Sequence, residues 1–90
     1  MSSFHLQIVS PQGVHFNGQA RFLRVRTKSG DAAILPGHAD YCALLGTGTA
    51  KLTTDEGADR FAECSGGLLC VRADEVCLTA DAFSWSAPDG

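Results

Sequence analysis

Turn signals recur along this chain about every eight to twelve residues or fewer, and this spacing constrains the fold more than any other feature. Pro11-Gln12-Gly13 and Asp55-Glu56-Gly57 are two examples. Such combinations bend a chain because they accept backbone angles that most residues avoid. Between the turns, no helical period is sustained over the dozen or so residues that a typical helix spans. Short segments at this spacing are typical of an all-β sandwich or barrel.

The segments between the turns alternate in polarity, as half-buried strands do. Residues 4–9 show this alternation clearly, and in residues 20–27 Leu23 and Val25 share one face. Further strands are predicted over residues 14–16, 32–35, 49–54, 59–65, 68–71 and 76–81. Asn17-Gly18 is a strong short hairpin signal and predicts a turn between the second and third strands.

The stretch Gly30–Leu45 carries the most distinctive polar residues. A short apolar run, 32–35, lies between the turn that contains Asp31 and the turn at Pro36-Gly37. Proline fixes one backbone angle and glycine accepts positive φ, so the second turn is sharp and presents His38 at a corner. Because exposed polar residues on the loops of a rigid scaffold often carry function, Asp31 and His38 are candidate site residues.

Composition narrows the class of protein. Ninety residues allow one domain, and 44% apolar with 19% charged residues is typical of a globular chain. The net charge of −3 argues against nucleic-acid binding, since a run of phosphates needs a basic surface. The start of the sequence shows no signal-peptide pattern, and no segment approaches the roughly 20 apolar residues of a membrane span. We therefore expect a soluble, intracellular chain.

The cysteines Cys42, Cys64, Cys70 and Cys77 form neither a CxxC pair nor a zinc-ligand pattern. In an intracellular chain we expect them to be reduced, partly buried thiols. A catalytic thiol would need an imidazole beside it, and Cys42 or Cys64 with His38 is the available combination, without an oxyanion-hole signature. The histidines share no common face, so we expect no metal site.

Several motifs resemble the epsilon subunit of the F-type rotary ATP synthase. The segment Gly30-Asp31, followed by Ile34-Leu35-Pro36-Gly37-His38-Ala39, is similar to that family's central motif, Gly-Glu-hydrophobic-Gly-Ile-hydrophobic-Pro-Gly-His-Ala-Pro-Leu-Leu. The other matching segments occur in the family's order: Leu6 to Pro11, Phe16-Asn17-Gly18, Ser65-Gly66-Gly67-Leu68-Leu69-Cys70-Val71 and Val76-Cys77-Leu78-Thr79-Ala80-Asp81. Together they cover about residues 4–81.

The resemblance implies a ten-stranded β-sandwich at the foot of the central stalk. In that family the domain grips the gamma subunit, rests on the polar loops of the membrane c-ring, and couples rotation to proton or sodium transport. This implies a non-catalytic subunit without a cofactor, held at the cytoplasmic face of the cell membrane only through the complex. Transmission of torque needs a stiff body, and a close-packed sandwich core supplies one.

The resemblance also assigns site residues by position. His38 matches the histidine that faces gamma, while Ser10, Thr49 and Leu78 match other positions on or near the gamma-facing side. Asp31 matches the acidic residue whose loop faces the c-ring, although the family usually has the longer Glu there.

Two further departures from the family pattern are Ala33, which replaces a common glycine, and Asp40, which replaces the proline after His-Ala. Asp40 adds a charge beside the expected gamma contact. We therefore expect a surface adapted to a different gamma subunit.

We assign residues 1–81 to the β-sandwich domain and residues 82–90 to a short, loosely ordered tail, because the tail shows no periodic pattern. Trp85 is the exception, since a tryptophan in the tail is expected to lie back on the sandwich. The family usually adds a C-terminal helical hairpin, and little sequence follows Asp81 here. We therefore expect the N-terminal domain without that hairpin.

Two other functions stay open from the residues themselves. A stand-alone sandwich that binds a small ligand or a carbohydrate would cluster exposed aromatic residues in a groove, and Tyr41, Phe83 and Trp85 are the candidates. A small hydrolase would use the cysteine–histidine combination described above.

Overall fold

The computed structural model describes residues 2–86, and these residues form seven β-strands. The strands are β1 (Phe4–Ser10), β2 (Gly13–Thr27), β3 (Gly30–Ile34), β4 (Tyr41–Leu44), β5 (Thr47–Thr54), β6 (Asp59–Arg72) and β7 (Glu75–Trp85). No α-helix occurs among residues 2–86, so this part of the chain offers no helix long and apolar enough to cross a membrane.

Two sheets pack face to face, because three strands are long enough to pass from one sheet to the other. The first sheet has the order β3-β2-β5-β6-β7 and the second has the order β2-β1-β7-β6-β4. Strands β1 and β7 are parallel, and the other pairs are antiparallel. This architecture confirms the predicted all-β sandwich.

The predicted count of ten strands is not confirmed, since seven strands form in residues 2–86. The reason is that β2, β6 and β7 continue through their bends instead of ending there. The register of β2 shifts between Ala20 and Phe22, and β6 bends at Gly66-Gly67, where φ is +67° and +112°. The pairing of β7 with β6 is interrupted opposite this bend, at Asp81 between the paired residues Ala80 and Ala82. Ten segments result only if each long strand is divided at its bend.

The first hairpin turns at Pro11-Gln12, and the turn predicted at Asn17-Gly18 is wrong. Ser10 pairs with Gly13, whose φ of +129° suits glycine alone, so the chain has already reversed there. Asn17-Gly18 lies inside β2 and pairs with β1. Asn17 therefore makes a cross-strand contact in the sheet: its Oδ1 lies 2.6 Å from Nε2 of His5 on β1.

The inward-facing residues of both sheets form one hydrophobic core, as the alternation predicted. The large side chains that are fully buried in it are Phe4, Leu6, Ile8, Leu23, Val25, Ile34, Leu45, Leu52, Leu69, Val71 and Leu78. Close packing of branched side chains between two sheets resists deformation. The core therefore holds the loops and outer faces at fixed positions.

Residues 82–85 extend β7, so the prediction that a loose tail begins at residue 82 is wrong for this segment. They pair with β6, and Phe83 points into the core. Trp85 lies back on the sandwich, as expected, with its ring edge-on to Phe83 at 5.0 Å and the Arg60 guanidinium 3.7 Å above the indole. This burial supplies the free energy that orders the segment. Residues 87–90 of the predicted tail lie outside the described residues.

Candidate functional site

The outer surface of the second sheet carries an apolar patch on strands β4 and β6. Leu44 and Leu68 face each other in the β4–β6 ladder and are 59% and 43% exposed. Cys42 and Cys70 form the neighbouring pair on the same face. We call these four residues the β4–β6 face. Two exposed leucines side by side on a sheet form a contiguous patch, which is a feature of surfaces that bind a partner.

The period-two geometry of the strands explains this exposure. Leu45 and Leu69 point into the core, so their neighbours Leu44 and Leu68 must point outward. At both places the sequence contains two adjacent leucines, Leu44-Leu45 and Leu68-Leu69. The residue types alone do not show which leucine of each pair is buried. Sequence reasoning missed this patch for that reason.

The loop 35–40, which we call the His38 loop, leads directly into β4. Two carboxylates fix it to the turn between β6 and β7: Gly37 N–H donates to Oδ1 of Asp74 at 2.8 Å, and Ala73 N–H donates to Oδ1 of Asp40 at 3.2 Å. The Asp40 that departs from the family pattern therefore anchors the loop, besides adding charge to it.

His38 is half-buried at the corner of this loop. Its N–H donates to the carbonyl of Leu35 at 3.1 Å, and Gly37 has φ +81°, as the predicted sharp turn requires. The ring Nδ1 lies 2.7 Å from the carbonyl of Ala39, and the ring stands edge-on to Tyr41 at 5.7 Å. These contacts hold the imidazole at one edge of the second sheet, beside the start of β4.

Asp31 lies on β3, at the opposite end of that strand from the His38 loop. It is opposite Arg26 in the ladder, and Nε–H of Arg26 donates to its Oδ1 at 2.8 Å. Both side chains are more than half exposed, so Asp31 is accessible as predicted. The prediction that Asp31 belongs to a turn is wrong, because the turn lies at Lys28-Ser29 and Asp31 is on the outside of the first sheet within β3.

The other predicted residues do not share a surface with His38. Ser10 is the last residue of β1, and its Oγ lies 2.6 Å from Nε2 of His15. At roughly 3.3 Å per residue, Ser10 is about 17 Å along β1 from the end that lies near the His38 loop. Thr49 is on the outside of the first sheet, where its hydroxyl donates to Oε2 of Glu63 at 2.9 Å.

Leu78 is fully buried in the core, so its side chain is not available to a partner and the prediction for it is wrong. The sequence indicates this burial, because Leu78 alternates along β7 with Val76 and Ala80, which are also buried. Of the five predicted site residues, the structure therefore leaves His38, Asp31, Ser10 and Thr49 at least partly accessible, on three separate parts of the surface.

The cysteine–histidine combination has no geometric support among residues 2–86. Nδ1 of His38 contacts a backbone carbonyl, and Cys42 contacts Cys70. Cys64 is buried, and burial is the main cause that raises the pKa of its thiol. A thiol held protonated in this way is a poor nucleophile.

The aromatic groove expected for a ligand-binding module is also not formed by its three candidates. Phe83 is buried, and Trp85 packs against it under Arg60. Tyr41 is half-buried against the core beside His38. The three rings therefore do not line one exposed groove.

His5, on the outer face of the second sheet, gives the domain a pH-dependent stability. Nδ1 of His5 lies 2.8 Å from Oε2 of Glu75, and this hydrogen bond is the main cause that raises the pKa of His5, followed by the contact with Asn17. A raised pKa in the folded state means stability that is present below the unfolded value and lost as pH rises through the folded value. Glu75 is well exposed, so the effect is small.

We expect the melting temperature to fall by no more than a few degrees between about pH 6 and pH 8, and this dependence to be smaller in Glu75→Gln. Thermal melts followed by circular dichroism across this range measure it. A Glu75→Gln variant with the same pH dependence as the wild type would show that another group is responsible.

Comparison with known proteins identifies the family to which this fold belongs. Residues 3–86 match the model of the family described as ATP synthase, delta/epsilon chain, β-sandwich domain. The ATP synthase epsilon chain of Clostridium novyi is 35% identical over 83 residues, which are 92% of this chain and 63% of that protein. The epsilon chain of Bacillus velezensis is 39% identical over 82 residues, which are 91% of this chain and 61% of that protein. The chain thus spans about three-fifths of the length of these relatives.

Solved structures show the same fold. A chain in the mitochondrial ATP synthase of Euglena gracilis superposes with a TM-score of 0.87 at 17% identity, over 94% of this chain and 54% of that one. A chain in the mitochondrial ATP synthase of Tetrahymena thermophila gives 0.75 at 13% identity, over 88% of this chain and 63% of that one. From the family match and the identity with the epsilon chains, the protein described here belongs to the family of ATP synthase delta/epsilon chain β-sandwich domains.

Proposed function

We propose that this chain is the β-sandwich part of a central-stalk subunit of a rotary ATP synthase, in which it links a gamma-type shaft subunit to the c-ring. Its relatives are named ATP synthase epsilon chains. The structures with the same fold are described as OSCP/F1/c-ring in one case and central stalk/c-ring in the other. The complex would hold the chain peripherally at the cytoplasmic face of the membrane.

The observation that carries this proposal is the β4–β6 face next to the His38 loop. An exposed Leu44–Leu68 pair costs free energy in water, and a partner that covers it recovers roughly 25 cal/mol per Å² of apolar surface. A stable interface buries about 1,200–2,000 Å² in total, so the contact must extend beyond the two leucines. The His38 loop is the adjoining surface that we assign to the same interface.

In this proposal the chain works as a mechanical part and catalyses nothing alone. Its task is to keep two binding surfaces in a fixed relation while torque passes through it. A core made of branched side chains between two sheets suits that task, because such a core deforms little.

The direct test is calorimetric titration of the purified chain into the gamma-type subunit of the same organism. We expect a one-to-one complex with micromolar or tighter affinity, given an interface of standard size. Circular dichroism on the same sample serves as the folding control. A folded chain that neither releases heat nor co-elutes with the shaft subunit would contradict the proposed function.

We propose that Asp31 meets the polar loops of the c-ring, because it is exposed and lies at the opposite end of β3 from the His38 loop. An exposed ion pair such as Arg26–Asp31 contributes only about 0–1 kcal/mol to stability. Asp31→Asn should therefore leave the melting temperature within a few degrees of the wild type and reduce ATP-driven ion pumping modestly in the assembled complex. Unfolding of the isolated Asp31→Asn chain would instead make Asp31 a structural residue.

A further inference from the structure

Three cysteines lie in one row across the outer face of the second sheet. Cys42 of β4 is paired with Cys70 of β6, and Cys70 is paired with Cys77 of β7. All three thiols reach solvent at least partly, unlike the buried Cys64. Strand pairing thus places three cysteines from three strands directly side by side on one face of the sheet.

The two neighbouring pairs in this row differ in their backbone geometry. Ala73 and Asp74, with φ of 48° and 62°, form the two-residue turn between β6 and β7, so the flanking residues are a hydrogen-bonded pair. Bonded and non-bonded pairs alternate along a ladder, so Cys70–Cys77, two residues further along, is also a bonded pair.

A strand residue directs its N–H and C=O groups to the same side, so Cys70 makes no backbone bonds towards β4. Cys42–Cys70 is therefore a non-hydrogen-bonded pair. The bond from Leu45 N–H to the carbonyl of Gly67, three residues along the same ladder, agrees with this alternation. Cα atoms in a non-bonded pair lie about 4.5 Å apart, against about 5.5 Å in a bonded pair, and their side chains are closer.

The sulfur positions follow from this difference. Sγ of Cys42 and Sγ of Cys70 lie 2.7 Å apart. Sγ of Cys77 instead lies 3.8 Å from the hydroxyl oxygen of Thr79. A Cα separation of about 4.5 Å falls inside the range that a disulfide spans, so closing a bond between Cys42 and Cys70 needs no movement of the strands.

We propose that, while no partner covers the β4–β6 face, Cys42 and Cys70 are a dithiol site that closes reversibly to a cross-strand disulfide when it meets a low-molecular-weight disulfide. Cys77 stays outside the bond. In a reducing compartment the pair is held open, and it responds when the concentration of small disulfides rises.

The reaction is a two-step thiol–disulfide exchange. The Cys42 thiolate attacks one sulfur of the small disulfide, whose S–S bond breaks and releases one thiolate. Cys70 then loses its proton and attacks Sγ of Cys42, which forms the protein disulfide and releases the second thiolate. The two protons lost by the cysteines are taken up by the two released thiolates, and two electrons pass from the protein to the small disulfide.

The order of the two attacks follows from the surroundings of the thiols. The hydrogen bond that the Cys70 thiol shares with Cys42 is the main cause that raises the pKa of Cys70, and burial adds to it. Cys70 therefore keeps its proton more firmly, and Cys42, which is the more exposed of the two to a small disulfide, makes the first attack.

The test uses the folded chain, equilibrated with mixtures of oxidised and reduced glutathione as the small disulfide and thiol. After acid quenching, peptide mapping should find Cys42 linked to Cys70, and a thiol count in denaturant should fall from four to two. At equal redox poise, Cys42→Ser should contain at least tenfold less internal disulfide than the wild type. Cys77→Ser is the matched control, since it makes the same change on the other side of Cys70, and it should be oxidised like the wild type.

A second readout is the thermal melt of the oxidised chain. Strand β4 has only four residues and pairs only with β6 in the strand pairing of residues 2–86, so a bond to β6 should stabilise it. We expect an upward shift of at least roughly 5 °C on oxidation in the wild type and in Cys77→Ser, but none in Cys42→Ser. Glutathione mixed disulfides without an internal bond, or a Cys70–Cys77 bond, would overturn the proposal.

Discussion

Replacing Gly67 by alanine is expected to prevent the domain from folding. A Cβ atom built on Gly67 would overlap the carbonyl oxygen of Thr79 and lie 2.8 Å from the Cα of Ala80. Both atoms belong to the backbone of β7, so no flexible side chain can move out of the way. The φ of +112° adds strain of about 1–3 kcal/mol for any residue with a Cβ. The sum should exceed about 4 kcal/mol, a large part of the 5–15 kcal/mol that typically stabilises a domain.

The matched control is Gly13→Ala. Gly13 has a similar φ of +129°, but a Cβ there would meet nothing within 4 Å. This variant should carry the backbone strain alone, lose about 1–3 kcal/mol and remain folded. The difference between the two variants therefore isolates the collision of β6 with β7.

Far-UV circular dichroism and thermal melts of both variants make the measurement. We expect a cooperative melt for Gly13→Ala and none, or a greatly lowered one, for Gly67→Ala. If both variants melted at the same temperature, β6 and β7 would not approach each other at Gly67 as described.

Replacing Leu68 by aspartate is expected to weaken binding to the gamma-type subunit at least tenfold. Leu68 belongs to the β4–β6 face and lies directly opposite Leu44. A carboxylate at this point would have to lose its water without a partner, which costs several kcal/mol in a closed interface. The fold should survive, because Leu68 points away from the core and is 43% exposed.

Phe61→Asp is the matched control for this prediction. Phe61 is 44% exposed, almost the same as Leu68, but it lies on the outside of the first sheet beside Lys51. The substitution removes an apolar side chain and adds the same charge, but on the first sheet, outside the proposed interface with the shaft subunit. We expect its affinity for the shaft subunit to stay within about threefold of the wild type.

His38→Glu tests the other part of the same interface. It places a second carboxylate in the loop that holds Asp40, and we expect loss of binding with a nearly unchanged melting temperature. Titration calorimetry of the three variants, with melts as controls, gives the comparison. Equal loss in Leu68→Asp and Phe61→Asp would mean that charge alone matters. Loss only in Phe61→Asp would move the shaft to the first sheet.

Much of the fold could be predicted from the sequence, because it depends on local chemistry. The alternation in residues 20–27 fixes Leu23 and Val25 on the buried side whatever the strand pairs with. The turns at Asp55-Glu56-Gly57 and Pro36-Gly37 depend on the backbone freedom of their own residues. The resemblance of several motifs in one order identified the family.

Other features required the tertiary structure, because they depend on which strands become neighbours. Asn17-Gly18 has the chemistry of a hairpin, but the chain has already turned at Pro11-Gln12, and pairing with β1 keeps Asn17-Gly18 inside a strand. The core surrounds Leu78 on all sides, and this excludes it from the predicted interface.

The candidate site shows the same division. The turn that presents His38 follows from Pro36-Gly37, a local feature of the sequence. The exposure of Leu44 and Leu68 depends on which member of each leucine pair the two sheets bury. The contact of Cys42 with Cys70 depends on the β4–β6 register, where a shift of one residue would turn a side chain to the other face. The sequence by itself thus determined the all-β fold, most of the turns and the family, whereas only strand pairing decided where the long strands continue and which distant side chains meet on the surface.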